Sequence, residues 1–121
     1  MDNINETVLD SFVNLKGLLS QKVEEQSKDD FLTFVKLMAP SIVSDFKMGN
    51  HIKVISNKLK ELEEGKIKRL MVFLPPRSSK SVLCSKLFPA WYIGRHPEHE
   101  ILTVSHSDQL SSDFGRSVRD V

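Results

Sequence analysis

The stretch Leu70-Met71-Val72-Phe73-Leu74-Pro75-Pro76-Arg77-Ser78-Ser79-Lys80-Ser81 changes character twice. Its first five residues form a short, continuous apolar run. Such a run suits a strand buried on both faces, as in a parallel sheet. Pro75-Pro76 stop it. From about Ser79 the pattern becomes helical and continues to Ile93, with Val82, Leu83, Leu87 and Trp91 on or near one face. Pro89 is expected to kink that helix or loosen its first turns. A loop between a buried strand and a helix sits where helix-terminal N–H groups and the helix dipole attract phosphate.

The loop matches the end of the phosphate-binding pattern G-x-x-x-x-G-K-[S/T] through Lys80-Ser81. Leu74 and Ser79 stand where that pattern has glycine. The chemistry assigns each residue a task. Lys80 places a positive charge beside the β- and γ-phosphates of ATP, and the Ser81 hydroxyl is a ligand for Mg²⁺. The N–H groups of Ser78, Ser79 and Lys80 form an anion nest. Arg77 adds a second cation beside the γ-phosphate. Ser79 is small enough to let backbone approach phosphate, but reaches positive φ less cheaply than glycine. The plainer alternative makes Arg77 and Lys80 exposed loop charges and Ser78 or Ser79 a helix cap.

Outward from the loop, Gly94 ends the helix and His96-Pro97-Glu98-His99 reads as a turn. A second apolar run, Ile101-Leu102-Thr103-Val104, follows. Ser105 or Ser107 then caps a last helix carrying Leu110, Phe114 and Val118. The order β-loop-α-β-α predicts an α/β fold with a parallel sheet. Upstream, Ile4, Val8, Phe12, Leu15 and Leu19 predict an amphipathic helix over 4–24. A linker is expected over 24–30. A second helix, capped by Asp29 or Asp30, starts at Phe31 and ends at Pro40. A third helix, over 50–64, is capped by Asn50 and closed by Gly65. The expected organisation is a helical segment over 1–66 and the opening of a P-loop ATPase domain over 67–121.

Composition sets bounds on function. Of 121 residues, 40% are hydrophobic and 27% charged, ordinary for one globular domain. The single cysteine, Cys84, excludes a disulfide within the chain and fits a reducing compartment. No apolar run approaches the roughly 20 residues of a membrane span, so no membrane role is expected. The first residues lack a secretory signal pattern. Residues 1–30 carry a net charge of −4 and residues 31–121 a net charge of +5. A moderately basic body is compatible with phosphate ligands or DNA.

Several motifs in order resemble the large subunit of tailed-phage terminases. Members often carry a strand followed by Pro-Pro-Arg-x-Gly-Lys-Ser, and this chain has Pro75-Pro76-Arg77-Ser78-Ser79-Lys80-Ser81. Upstream stand Phe46, His51, a helix ending at Gly65, and Lys68-Arg69. Downstream stand Trp91-Tyr92, the run 101–104, and a helix with Leu110, Phe114-Gly115-Arg116 and Val118-Arg119. The resemblance covers roughly residues 38–121 and departs from the family at Ser79. It implies the amino-terminal part of an ATP-driven, Mg²⁺-dependent motor that moves viral double-stranded DNA into a prohead in the host cytoplasm. It implies nucleotide contacts from Pro76, Arg77, Ser78, Ser79, Lys80 and Ser81, with Arg77 and Lys80 catalytic. Family partners are the portal and the small terminase subunit. In the family an apolar strand ending in Asp-Glu follows, then a nuclease. This sequence has no such strand, so the chain alone is expected not to turn over ATP. A second polypeptide would supply the missing parts. The alternatives are a nucleotide- or partner-binding fragment without turnover, and a different small P-loop NTPase such as a kinase.

Other groups carry weaker signals. His106, Arg116 and Arg119 are candidate DNA contacts, against a plainer reading as solvated loop and helix positions. His96, His99 and Glu100 lie close together and offer metal ligands, but an ordinary polar turn is the preferred reading. Trp91, Tyr92 and Cys84 read as packing residues. The charges over 58–68 read as the exposed face of the third helix.

Overall fold

A computed structural model describes residues 2–121, with side chains from residue 5 onward. The described residues are helical throughout, joined by turns and extended links, and contain no strand. The α/β fold with a P-loop NTPase parallel sheet is therefore corrected to an all-helical one. Both apolar runs lie outside the helices, and neither lies in a ladder. The reason is geometric. A strand needs a second strand alongside at about 4.8 Å to pair its N–H and C=O groups. Here each run has helices on one side and no strand on the other. Leu70, Val72 and Leu74 pack against the core. Met71 and Phe73, alternating with them, point outward, and Phe73 is 85% exposed. In the second run Leu102 is 89% exposed.

The first helix, α1 (Asp2–Asp29), is longer than expected and absorbs the proposed linker. Nothing in Glu24–Asp29 breaks a helix, since Gly and Pro are absent there. Val8, Phe12, Leu15 and Leu19 are exposed. Ile4, first in that stripe, lies outside the described side chains. Only the end of α1 joins the core, packing on α2 (Phe31–Ile42) and on a later helix. Asp30 caps α2: its carboxylate accepts from the Thr33 N–H at 3.2 Å and the Thr33 hydroxyl at 2.7 Å. Pro40 lies inside the last turn rather than ending the helix. Proline there removes one hydrogen bond, and the chain turns extended only at Val43.

α3 (Asn50–Glu63) has Gly49 at the cap position, one residue before the expected Asn50. Gly65, at φ 75°, closes it in the left-handed conformation that glycine adopts without strain. The helix after the loop spans 80–95. It opens on Lys80, passes through a π-helical stretch (Val82–Leu87) and continues as α4 (Phe88–Arg95). Pro89 explains the wide turn. It has no N–H to donate, and the residue before it, Phe88, bonds five back to Leu83 O. The last helix, α5 (Asp108–Asp120), is capped by Ser107, whose hydroxyl accepts from the Leu110 N–H at 3.3 Å.

The core lies where three stripes meet. Phe31, Val35 and Ala39 come from α2, Ile52, Ile55 and Leu59 from α3, and Leu83, Leu87 and Trp91 from the 80–95 helix. Each set repeats at helical spacing, so burial needs only one face per helix. Phe31 is the centre, edge-on to Phe88 at 5.5 Å and 5.2 Å from Trp91 between ring centroids. The Trp91 indole N–H donates to the Ser27 carbonyl at 3.0 Å, tying the 80–95 helix to the end of α1. The helix whose first turn follows the loop is thus fixed by the core on one whole face.

Candidate phosphate-binding loop

Residues 74–82 line an open cavity of about 370 Å³. All six expected nucleotide contacts, Pro76, Arg77, Ser78, Ser79, Lys80 and Ser81, border it. The loop's backbone is its most unusual feature. Arg77 has φ 62° and Ser79 φ 61°, the only non-glycine residues with positive φ among the described residues. The sign of φ therefore alternates across Arg77, Ser78 and Ser79. Alternation of this kind turns successive N–H groups toward one side and makes a concave anion nest. Each left-handed non-glycine residue costs roughly 1–2 kcal/mol.

The rest of the packing holds the loop in that shape. Pro75-Pro76 fix φ on the entering side. The Ser78 hydroxyl donates to the Pro75 carbonyl at 2.6 Å, closing the turn with its own side chain. On the exit side the Leu83 N–H bonds to Ser79 O at 3.0 Å, so Ser79 carries the helix's first carbonyl acceptor. Leu83 is fully buried, which anchors that turn to the core. Arg77 and Lys80 have no acidic partner among the described residues, and no carboxylate lines the cavity. Two cations and a helix start thus face a space with no counter-charge. Burial pushes the Cys84 thiol up, and the nearby Lys80 ammonium only partly offsets this, so Cys84 stays protonated.

The DNA-contact candidates do not join this site. His106 is exposed just before the cap of α5. Arg116 lies 3.9 Å from Asp113 and Arg119 lies 3.2 Å from Asp120, all on the surface of α5. None of the three borders the cavity.

Sequence reasoning missed a second polar cluster at the other end of the 80–95 helix. The charge run over 58–68 suits an exposed face by pattern, yet the Glu63 side chain is only 4% exposed. Arg95 Nε donates to Glu63 Oε1 at 3.0 Å, and His96 Nε2 meets the same oxygen at 2.8 Å. Burial pushes the Glu63 carboxyl up, but the hydrogen bonds from His96 and Arg95 prevail and hold it below the usual range. Arg95 also donates to the Lys28 carbonyl at 2.7 Å and lies 5.0 Å over the Trp91 ring. No local pattern marks Glu63, because its partners are more than thirty residues away.

Compared with known proteins, the chain matches no protein-family profile, no curated protein and no solved structure. No helix among the described residues is long and apolar enough to cross a membrane.

Proposed function

We propose that residues 76–81 bind the phosphates of MgATP, and that the chain is the nucleotide-binding part of a DNA-packaging motor related to terminase large subunits. The observation that carries this reading is the positive φ of Ser79. It falls at the position where the resemblance expects glycine, and the second left-handed residue, Arg77, lies two positions earlier in the same loop. Strain of this kind persists only where the surroundings impose it, and it clusters at ligand clamps.

In this reading the N–H groups of Ser78, Ser79 and Lys80 receive phosphate oxygens, and the Lys80 ammonium sits beside the β- and γ-phosphates. Arg77 supplies the second cation. No acid borders the cavity, so Mg²⁺ there would be held by nucleotide phosphates, the Ser81 hydroxyl and water. Such a set binds the ground state. It accelerates hydrolysis only if contacts strengthen in the transition state, which also requires a base to orient water. Double-stranded DNA, the portal, the small subunit, a complementing polypeptide and the host cytoplasm follow from the resemblance alone.

The test is calorimetric titration with MgATP. Wild type is expected to bind and Lys80→Ala to show no measurable binding, with helical circular dichroism unchanged. Equal affinity for the two proteins sinks the proposal. A partner-binding role without turnover has its own support in the exposed apolar side chains of the two runs, Met71 and Phe73 in one and Leu102 and Val104 in the other.

A further inference from the structure

The turn after α4 places His96, Glu98 and His99 together. Pro97 occupies the second position of the turn, where its fixed φ suits the fold-back, and the His99 N–H closes it on His96 O at 3.0 Å. The two imidazoles stack, with centroids 5.0 Å apart and planes within 12°. One ring nitrogen of each faces the same carboxylate oxygen. His96 Nδ1 is 3.8 Å and His99 Nε2 is 3.7 Å from Glu98 Oε1. These separations are too long for hydrogen bonds. They are near the roughly 3.3 Å between neighbouring ligand atoms of a tetrahedral zinc ion with bonds of about 2.0 Å.

The remaining ring nitrogens are both occupied by protein. His96 Nε2 meets the buried Glu63 carboxylate at 2.8 Å. A carboxylate only accepts, so Nε2 carries the hydrogen, and in the neutral ring Nδ1 keeps its lone pair toward Glu98. His99 Nδ1 is 2.9 Å from the Tyr92 hydroxyl. With that nitrogen donating to the phenol oxygen, Nε2 holds the lone pair toward Glu98. Metal-binding histidines are oriented in this way, through a carboxylate or another oxygen on the far nitrogen. The two oriented imidazoles and the exposed carboxylate come from different constraints. Glu63 arrives from α3, Tyr92 from α4, and Glu98 from the turn itself.

We propose that His96, Glu98 and His99 bind a divalent zinc-class ion, with Glu63 and Tyr92 as positioning residues. Two imidazoles and one carboxylate make a three-ligand set that leaves a fourth tetrahedral position for water. The three ligand atoms lie within 4.8 Å of one another, so closing the set around an ion draws in the exposed Glu98 side chain and brings the two imidazoles nearer each other. The bound ion clips the 96–99 turn to α3 through His96 and Glu63. This is a different ligand set from the His96, His99 and Glu100 considered in sequence. Glu100 is outside the cluster.

The probe is zinc chloride added to the full chain freed of metal, followed by calorimetry, with cobalt(II) absorption reporting geometry. Saturable binding of one ion per chain is expected. Glu98→Gln is the cleanest variant, since Glu98 touches only the two histidines, and it is expected to weaken binding at least tenfold. His99→Ala should do the same, and His51→Ala, on α3, should leave affinity unchanged. Glu63→Gln and Tyr92→Phe should weaken binding 10–100-fold and alter the cobalt spectrum. A change in stability alone would leave the spectrum of bound cobalt as in wild type, and would remove their positioning role. Wild-type zinc affinity in Glu98→Gln or His99→Ala, or no saturable binding to the wild type, overturns the site.

Discussion

The helix over 80–95 begins in a loop of strained backbone and unpartnered cations and ends in a turn whose polar atoms are largely satisfied. At the first end, Arg77 and Ser79 hold left-handed φ, and the loop's charge has no acid beside it. At the other, Arg95 and His96 share the Glu63 carboxylate, Tyr92 meets His99, and Arg95 reaches back to Lys28. The difference separates an end whose cations face no acid from one that already neutralises its own charge. On the proposed reading the first gains a phosphate ligand, at a cost in backbone strain. The second is held by partners distant in sequence, and it gains a ligand only where Glu98 leaves two ring nitrogens unsatisfied.

The largest expected effect comes from the residue that both ends depend on. Leu87 is fully buried between Leu83, one turn nearer the loop, and Trp91, one turn nearer the histidines. Leu87→Ala should destabilise the protein by about 2–5 kcal/mol, the usual range for truncating a buried leucine. Urea unfolding followed by circular dichroism measures it. Both ligand sites should weaken together in this variant. Loss confined to one end would show that the ends are not coupled through the helix.

A smaller effect separates the ends by pH. Asp30 lies at the corner between α1 and α2, next to the segment that Arg95 clasps. Partial burial pushes its carboxyl up, but the Thr33 hydroxyl and N–H and the Lys60 ammonium at 3.6 Å outweigh this and hold it below its ordinary value of 3.8. Because the folded value is depressed, the stabilisation is fully present above the unfolded value and is lost as pH falls through the folded one. Stability of the Asp30→Ala variant should therefore fall short of wild type by about 1 kcal/mol near neutrality, the cost of losing an N-cap. The gap should close as pH drops below about 3.8. Unfolding at a series of pH values checks the sign. A gap that widened on acidification would contradict the capping geometry. The loop cavity is bordered by no acid, so it has no matching carboxylate titration.

What was legible in the sequence followed from local rules. The stripes of α2, α3 and the 80–95 helix are periodic, and Asp30, Gly65 and Ser107 take the capping roles their chemistry allows. The six loop residues share one cavity because they are consecutive. The expected sheet is absent from the described residues because apolar patterning is local while strand pairing is not. Residues 70–74 do alternate inward and outward, but no second strand lies beside them among the described residues. Glu63 escapes a local reading for the same reason. Its burial depends on Arg95 and His96 arriving from another helix. The linker over 24–30 failed differently, since polar composition alone does not end a helix where neither glycine nor proline falls in the stretch.

The smallest predicted change tests whether strain at the first end serves a ligand. In Ser79→Gly the left-handed φ of 61° no longer brings a Cβ against the following carbonyl, relieving about 1 kcal/mol. Glycine also gives the unfolded chain more freedom, which takes back about 0.4–1 kcal/mol. The net change in stability is therefore expected within a few tenths of a kcal/mol of zero, on the stabilising side. MgATP affinity should be kept or improved, because glycine presents the same N–H with less steric demand near phosphate. Ser79→Val is the opposing variant. A β-branched side chain at positive φ is strongly disfavoured, so it should cost stability and affinity together. If Ser79→Gly instead loses most of its affinity, the hydroxyl of Ser79 contributes directly to binding. The match between this position and the glycine of the terminase motif would then be coincidental, and the loop would owe its shape to the two prolines and the Ser78–Pro75 hydrogen bond alone.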